Sequence, residues 1–114
     1  MTEKLFKGKH VFFDATNIKD WSKLNEACLE AIKYSGASLL EQHGVEFEPH
    51  GTSIIHYMLS ESHLAVHTYP EYDSAFFDLF TCGDRCNPLR GMIKLKEFLN
   101  CDGLIRLTQR GNWK

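Results

Sequence analysis

The chain has 114 residues, enough for one domain (1–114) with a modest core, and 13 Lys and Arg against 15 Asp and Glu leave a net charge of −2. That balance lacks the basic stripe that neutralises phosphates, which excludes nucleic acid as a partner, and no apolar run approaches a membrane span. The opening "MTEKLFKGKH" has no apolar core of a secretion signal, and Cys28, Cys82, Cys86 and Cys101 are irregularly spaced, which reads as reduced thiols in a cytoplasmic protein.

In chain order, "GKHVFFDAT" (8–16) is rich in β-formers and is a first strand. Asp20 caps a helix beginning at Trp21, whose apolar stripe runs through Leu24, Cys28 and Ile32 and stops at Gly36. "ASLLEQHGVEF" (37–47) is strand-like but interrupted at Gly44. Three more β-rich runs follow, "TSIIHYMLS", "SHLAVHTY" and "SAFFDLFTC". Asn87-Pro88 is a helix cap with proline at the first helical position, opening a helix that carries Leu89, Met92, Ile93, Lys96 and Leu99 and ends near Asn100. "CDGLIRLTQR" turns at Asp102-Gly103 and closes with a strand. Strands in runs with only two helices predict an α+β fold, an antiparallel β-sheet with two helices packed on one face. The opposite sheet face is also apolar in places, and its simplest cover is a second copy of the chain, that is, dimerisation.

The stretch "LSESHLAVHTYPEY" (59–72) puts Ser60, Glu61, Ser62, His63 and His67 closer together than a packing face requires. A Glu-Ser bond in a tight turn can rearrange. The Ser62 hydroxyl attacks the Glu61 carbonyl to give an ester, a base removes the Ser62 α-proton, and elimination followed by hydrolysis leaves a pyruvoyl group. His63 and His67 are the local candidates for that base. A pyruvoyl ketone accepts electrons when an amino acid loses carbon dioxide, the task that pyridoxal phosphate performs elsewhere.

"SESHLAVHTYPEY" followed by "DLFTCGD" resembles the bacterial and archaeal S-adenosylmethionine decarboxylases, small self-processing pyruvoyl enzymes of polyamine biosynthesis. The match is dense over 60–84 and looser over the first strand, the helix ending "SGA" and "EPHGTS". The resemblance implies cleavage between Glu61 and Ser62, giving chains 1–61 and 62–114, with the pyruvoyl cofactor generated from Ser62. It implies that His67 assists processing, that Cys82 returns a proton to the substrate carbon, and that Ser53 is a second serine of processing. Phe47 corresponds to an aromatic that stacks on adenine, Tyr69 to an aromatic of the pocket, and Glu71 to the pocket or its supporting turn. The implied partners are an amino-acid substrate, S-adenosylmethionine first, and a second processed copy in a homodimer.

Departures from the family pattern cluster around the pocket. One residue more than usual lies between Gly51 and Ser60, and period-two alternation then turns Ser53 to the other face unless a bulge absorbs it. His56 stands where the family is apolar, Tyr69 where it has tryptophan or phenylalanine, and "YDSAFFD" where it has "YGYAAID". Arginine or ornithine is therefore the alternative substrate, and a non-catalytic regulatory paralogue the alternative of another class. Each residue also has a plainer role: Ser62 as a turn serine, His67 as a sheet histidine, Cys82, Phe47 and Tyr69 as packing. No metal site is expected. His63 and His67 on one strand stand ~13 Å apart, and Cys82-x3-Cys86 lacks a second pair of ligands.

Overall fold

β-Branched and aromatic runs punctuated by Gly, Pro, Asn and Asp produce six strands and two helices: β1 (Lys7–Thr16), α1 (Leu24–Ser35), β2 (Leu39–Phe47), β3 (Thr52–Leu59), β4 (Ser62–Tyr69), β5 (Ser74–Cys82), α2 (Pro88–Leu99) and β6 (Asp102–Gly111). The structure, a computed structural model, describes residues 6–49, 51–60, 62–83 and 85–113. All strand pairs are antiparallel, in the order β2-β3-β4-β5-β1-β6. This is the expected α+β architecture.

Alternation along the central strands sends Val11, Phe13, Ala15, Leu64, Val66, Ala75, Phe77 and Leu79 toward the helices, where all are buried. Phe13 and Phe77, cross-strand partners on β1 and β5, stack with centroids 5.7 Å apart. The helices cover that face with Leu24, Ala27, Cys28, Ala31 and Ile32 from α1 and Met92, Leu95 and Leu99 from α2. Gly91 lets α2 approach α1 closely: a Cβ there would meet the Ser35 hydroxyl and the Ala31 carbonyl.

Local chemistry sets the helix ends. Asn87 accepts a hydrogen bond from the Arg90 amide at 3.1 Å, Pro88 follows at the first position, and Asn100 closes α2 in the left-handed region at φ 51°. Gly36 ends α1 at φ 81°. Two expectations need correction, the start of α1 and the interruption at Gly44. Residues Trp21–Lys23 form a single 3-10 turn, which Asp20 caps through the Ser22 amide, so α1 proper begins at Leu24. On α2, Ile93 is exposed, and the inner face is Pro88, Gly91, Met92, Leu95 and Leu99. Strand β2 runs through Gly44 without a break, because paired hydrogen bonding to β3 continues on both sides (His43 opposite His56, Val45 opposite Ile54).

Candidate active site

The sheet face away from the helices carries the chemistry. Period-two alternation places His10, Phe12 and Asp14 of β1 there, with His63, Ala65, His67 and Tyr69 of β4, Phe76, Asp78 and Phe80 of β5, and Ile54, His56 and Met58 of β3. His43, Val45 and Phe47 join from β2. Five of the six histidines in the sequence (His10, His43, His56, His63, His67) therefore share one face.

At one end of the sheet Ser62 is the first residue of β4, turned by alternation to the helix side with its partner Thr81, and Cys82 is the last of β5, on the open face with Phe80. Ser62 Oγ lies 3.3 Å from Cys82 Sγ, within hydrogen-bonding distance for sulfur. The exposed Cys82 borders a cavity of about 330 Å³ with Phe6, Gly8, Phe80 and Arg110, and a smaller one of about 210 Å³ with Arg85 and Cys86. The Arg110 guanidinium sits over the Phe80 ring at 5.3 Å from its centroid. Thr81 is wholly buried, and its Oγ1 has no hydrogen-bond partner among the described residues. Glu61, on the other side of the expected scissile bond, lies outside the described residues.

The remaining expected residues gather at the opposite end. His67 is five residues along β4 from Ser62, ~16 Å at strand rise, and its cross-strand partners are Ile54 and Phe76. Tyr69 lies farther still and meets Phe76 edge-on at 5.5 Å. Glu71 is exposed in the 3-10 turn Pro70–Tyr72 that follows. Phe47, 47% exposed, pairs with Thr52 at this same end. A cavity of about 530 Å³ borders Tyr69, Tyr72 and Phe76. Ser53 also lies here but is turned to the helix side. The β3–β4 register runs from Ile54–His67 to Met58–His63 without a shift, so no bulge there absorbs the extra residue. The Ser53 hydroxyl donates to the Gly51 carbonyl at 3.2 Å, and its amide donates to Thr68 Oγ1 at 2.8 Å. Strand alternation separates Ser53 from the face that carries His67.

Sequence reasoning overlooked His10, Asp78 and Thr81. His10 Nε2 and an Asp78 carboxylate oxygen form an ion-pair contact between β1 and β5, and the His10 ring stacks on Phe12 at 4.4 Å. His63 stands 6.4 Å from His10, and its ring lies parallel to that of His56 at 6.1 Å. Burial lowers the His63 pKa below the ordinary histidine value, against the opposing pull of Asp78 and with help from the neighbouring His56 and His10. The signal available in the sequence was period two: Asp78 shares its strand face with Phe80 and Cys82, and His10 lies directly across from Phe80. Of the other cysteines, Cys28 is buried in the core beside Tyr57, and burial pushes its thiol pKa up to about 12. Cys86 and Cys101 are also buried, and none of the four cysteines forms a disulfide.

The chain matches the family model described as S-adenosylmethionine decarboxylase over residues 9–109. It is 37% identical over 97 residues to the S-adenosylmethionine decarboxylase proenzyme of Thermosipho africanus, covering 81% of this chain and 74% of that one. It is 39% identical over 87 residues to S-adenosylmethionine decarboxylase proenzyme 2 of Bacillus cereus, covering 71% and 69%. Its fold superposes on the crystal structure of the adenosylmethionine decarboxylase from Aquifex aeolicus with a TM-score of 0.76 at 27% identity, over 96% of this chain and 94% of that one.

Proposed function

We propose that the chain, which belongs to the S-adenosylmethionine decarboxylase family, cleaves itself between Glu61 and Ser62 and, as a homodimer, decarboxylates S-adenosylmethionine. The observation that carries this reading is the 3.3 Å contact between Ser62 Oγ and Cys82 Sγ. It joins the residue expected to be processed to the one expected to donate a proton, 20 positions apart in sequence and on neighbouring strands. The family is pyruvoyl-dependent, and a pyruvoyl ketone supplies an electron sink for the pair released as carbon dioxide departs. The residues around Ser62 fit a carbonyl-bearing group: the buried Thr81 hydroxyl, opposite Ser62, is a donor without a partner among the described residues, and a buried donor costs about 1–3 kcal/mol until it is satisfied.

In processing, Ser62 Oγ attacks the Glu61 carbonyl and the peptide bond becomes an ester. Loss of the Ser62 α-proton expels the 1–61 carboxylate, and hydrolysis of the resulting enamine releases ammonia. In turnover, Cys82 holds a proton at Sγ beside the Ser62 position, at the mouth of a cavity walled by Phe6 and Phe80. Phe80, with the Arg110 guanidinium over its ring, forms one wall of that cavity.

Distance supports the dimer. His67, Tyr69 and Phe47 cluster ~16 Å or more along the sheet from Ser62, so they cannot touch the Ser62 of their own chain. A second copy laid face to face with its strands reversed brings its His67 end over the Ser62–Cys82 end, and two-fold symmetry makes the site twice. The exposed apolar side chains of this face, Val45, Phe47, Ile54, Met58 and Phe76, supply the contact. The four cysteines without disulfides support a reducing compartment, the cytoplasm.

The test is mass spectrometry of the purified protein together with carbon dioxide capture from labelled substrates. Cleavage before Ser62 divides the 114 residues into fragments of 61 and 53. The second should be lighter by one ammonia than a serine-ended fragment, and should resist N-terminal sequencing. An intact chain after long incubation sinks the reading. Release of labelled carbon dioxide from arginine or ornithine, and not from S-adenosylmethionine, sinks the substrate assignment alone.

A further inference from the structure

We propose that His10, His63 and Asp78 form a binding site for one divalent transition-metal ion of the zinc or cobalt type. The three residues come from three adjacent strands, β1, β4 and β5, and are separated by 53, 15 and 68 positions in sequence. Spacing within one strand could not reveal them. One donor atom from each, two imidazole nitrogens and a carboxylate oxygen, lie within 4.8 Å of one another, and all three residues are half-buried. The register explains the convergence. His10 and His63 are both direct partners of Phe80, one on each side of β5, and Asp78 lies two residues before Phe80 on the same face.

Three groups bearing lone pairs meet at this point. The contact between His10 Nε2 and the Asp78 carboxylate engages those two groups and does not include the His63 imidazole. A divalent cation satisfies all three. Tetrahedral zinc with nitrogen and oxygen ligands at about 2.0–2.1 Å sets its ligand atoms about 3.3 Å apart. The donor atoms already lie within 4.8 Å of one another, so reaching that spacing asks for a shift of about 1.5 Å or less. Two imidazoles and one carboxylate suit zinc and cobalt better than magnesium or calcium, which select all-oxygen sites. The supporting shell is in place: Phe12 stacks on the His10 ring at 4.4 Å, Phe80 flanks both histidines, and His56 lies parallel to His63. Three ligands leave at least one position for water on the open side of the sheet.

The test reads metal occupancy directly and does not use activity. The whole protein, stripped with a chelator, is titrated with Co²⁺ alone and followed by visible absorption and calorimetry. The expected result is one equivalent per chain, a tetrahedral or five-coordinate Co²⁺ spectrum without a thiolate charge-transfer band, and a raised unfolding temperature of the wild-type protein. Asp78→Asn and His10→Ala, each confirmed folded by circular dichroism, should weaken binding at least ~10-fold, whereas His43→Ala, on the same face but paired with Glu41, should bind as wild type. Equal binding by Asp78→Asn and wild type overturns the proposal. So does loss of binding in His43→Ala, which would indicate chelation elsewhere on the histidine face. Absence of Co²⁺ binding or thermal stabilisation in the wild-type protein overturns it without any variant.

Discussion

If His67 acts on the Ser62 of a partner chain, two inactive variants should repair each other. Ser62→Ala removes the attacking hydroxyl, and His67→Ala removes the histidine that assists it, so each protein alone should remain largely uncleaved. The two positions are separated by five residues of continuous strand, ~16 Å, whereas proton transfer needs heavy atoms within about 3 Å or one bridging water. No side-chain rotation closes that gap within one chain. Co-expressed at equal levels, the variants assort into homodimers and heterodimers, and about half of the Ser62-bearing chains should find a Ser62→Ala partner that supplies an intact His67. Each such heterodimer holds one complete site and one doubly defective site. The assay is a denaturing gel, with a mass tag on the His67→Ala chain so that only the cleavable species is scored. About half of that tagged chain should be cleaved, against little in either variant alone. No cleavage above that of the parents, in a mixture shown to form heterodimers, would refute the shared site. Wild-type cleavage by His67→Ala alone would remove His67 from processing and favour His63.

Three further outcomes are expected. Cys82→Ala should still cleave, since Cys82 is not required for attack on Glu61, but it should turn over slowly and lose activity progressively during turnover. Cys86→Ala should match wild type in both respects, as steady-state assays with mass analysis will show. Gly91→Ala should destabilise the fold by roughly 1–3 kcal/mol in urea unfolding, because the added methyl meets Ser35 and the Ala31 carbonyl between the helices and overpacking outweighs the gain in helix propensity. His63 should titrate below the usual histidine value by NMR, its desolvation outweighing Asp78, with His56 and His10 adding to the depression. Its folded pKa lies below its unfolded one, so the unfolded chain takes up the proton first as the pH falls below about 6.5, and the His63 contribution to stability declines in that direction. Replacement of His63 by Asn should flatten that part of the stability profile, and an unchanged profile would contradict the assignment.

The sequence by itself was sufficient wherever the determining interactions are local. Asn87-Pro88 and Gly36 set helix ends through their own side chains and backbone preferences, and both lie where their chemistry predicts. The run of strands with only two helices likewise pointed to the α+β architecture, an antiparallel sheet with both helices on one face. The unbroken motif around Ser62 and Cys82 pointed to processing chemistry, and the two residues do meet at one end of the sheet. What tertiary structure alone decided is cross-strand placement. Gly44 does not interrupt β2, because pairing with β3 supplies hydrogen bonds that propensity does not count. The unshifted β3–β4 register turns Ser53 to the helix side, which the extra residue before Ser60 made conceivable without settling. His63 and His67, neighbours in sequence as candidate bases, stand at different distances from Ser62 because a strand carries its residues apart at ~3.3 Å each. His10 and Asp78 meet although 68 positions separate them, since an antiparallel sheet brings distant residues together through hydrogen-bond register, a quantity set jointly by two strands and carried by neither.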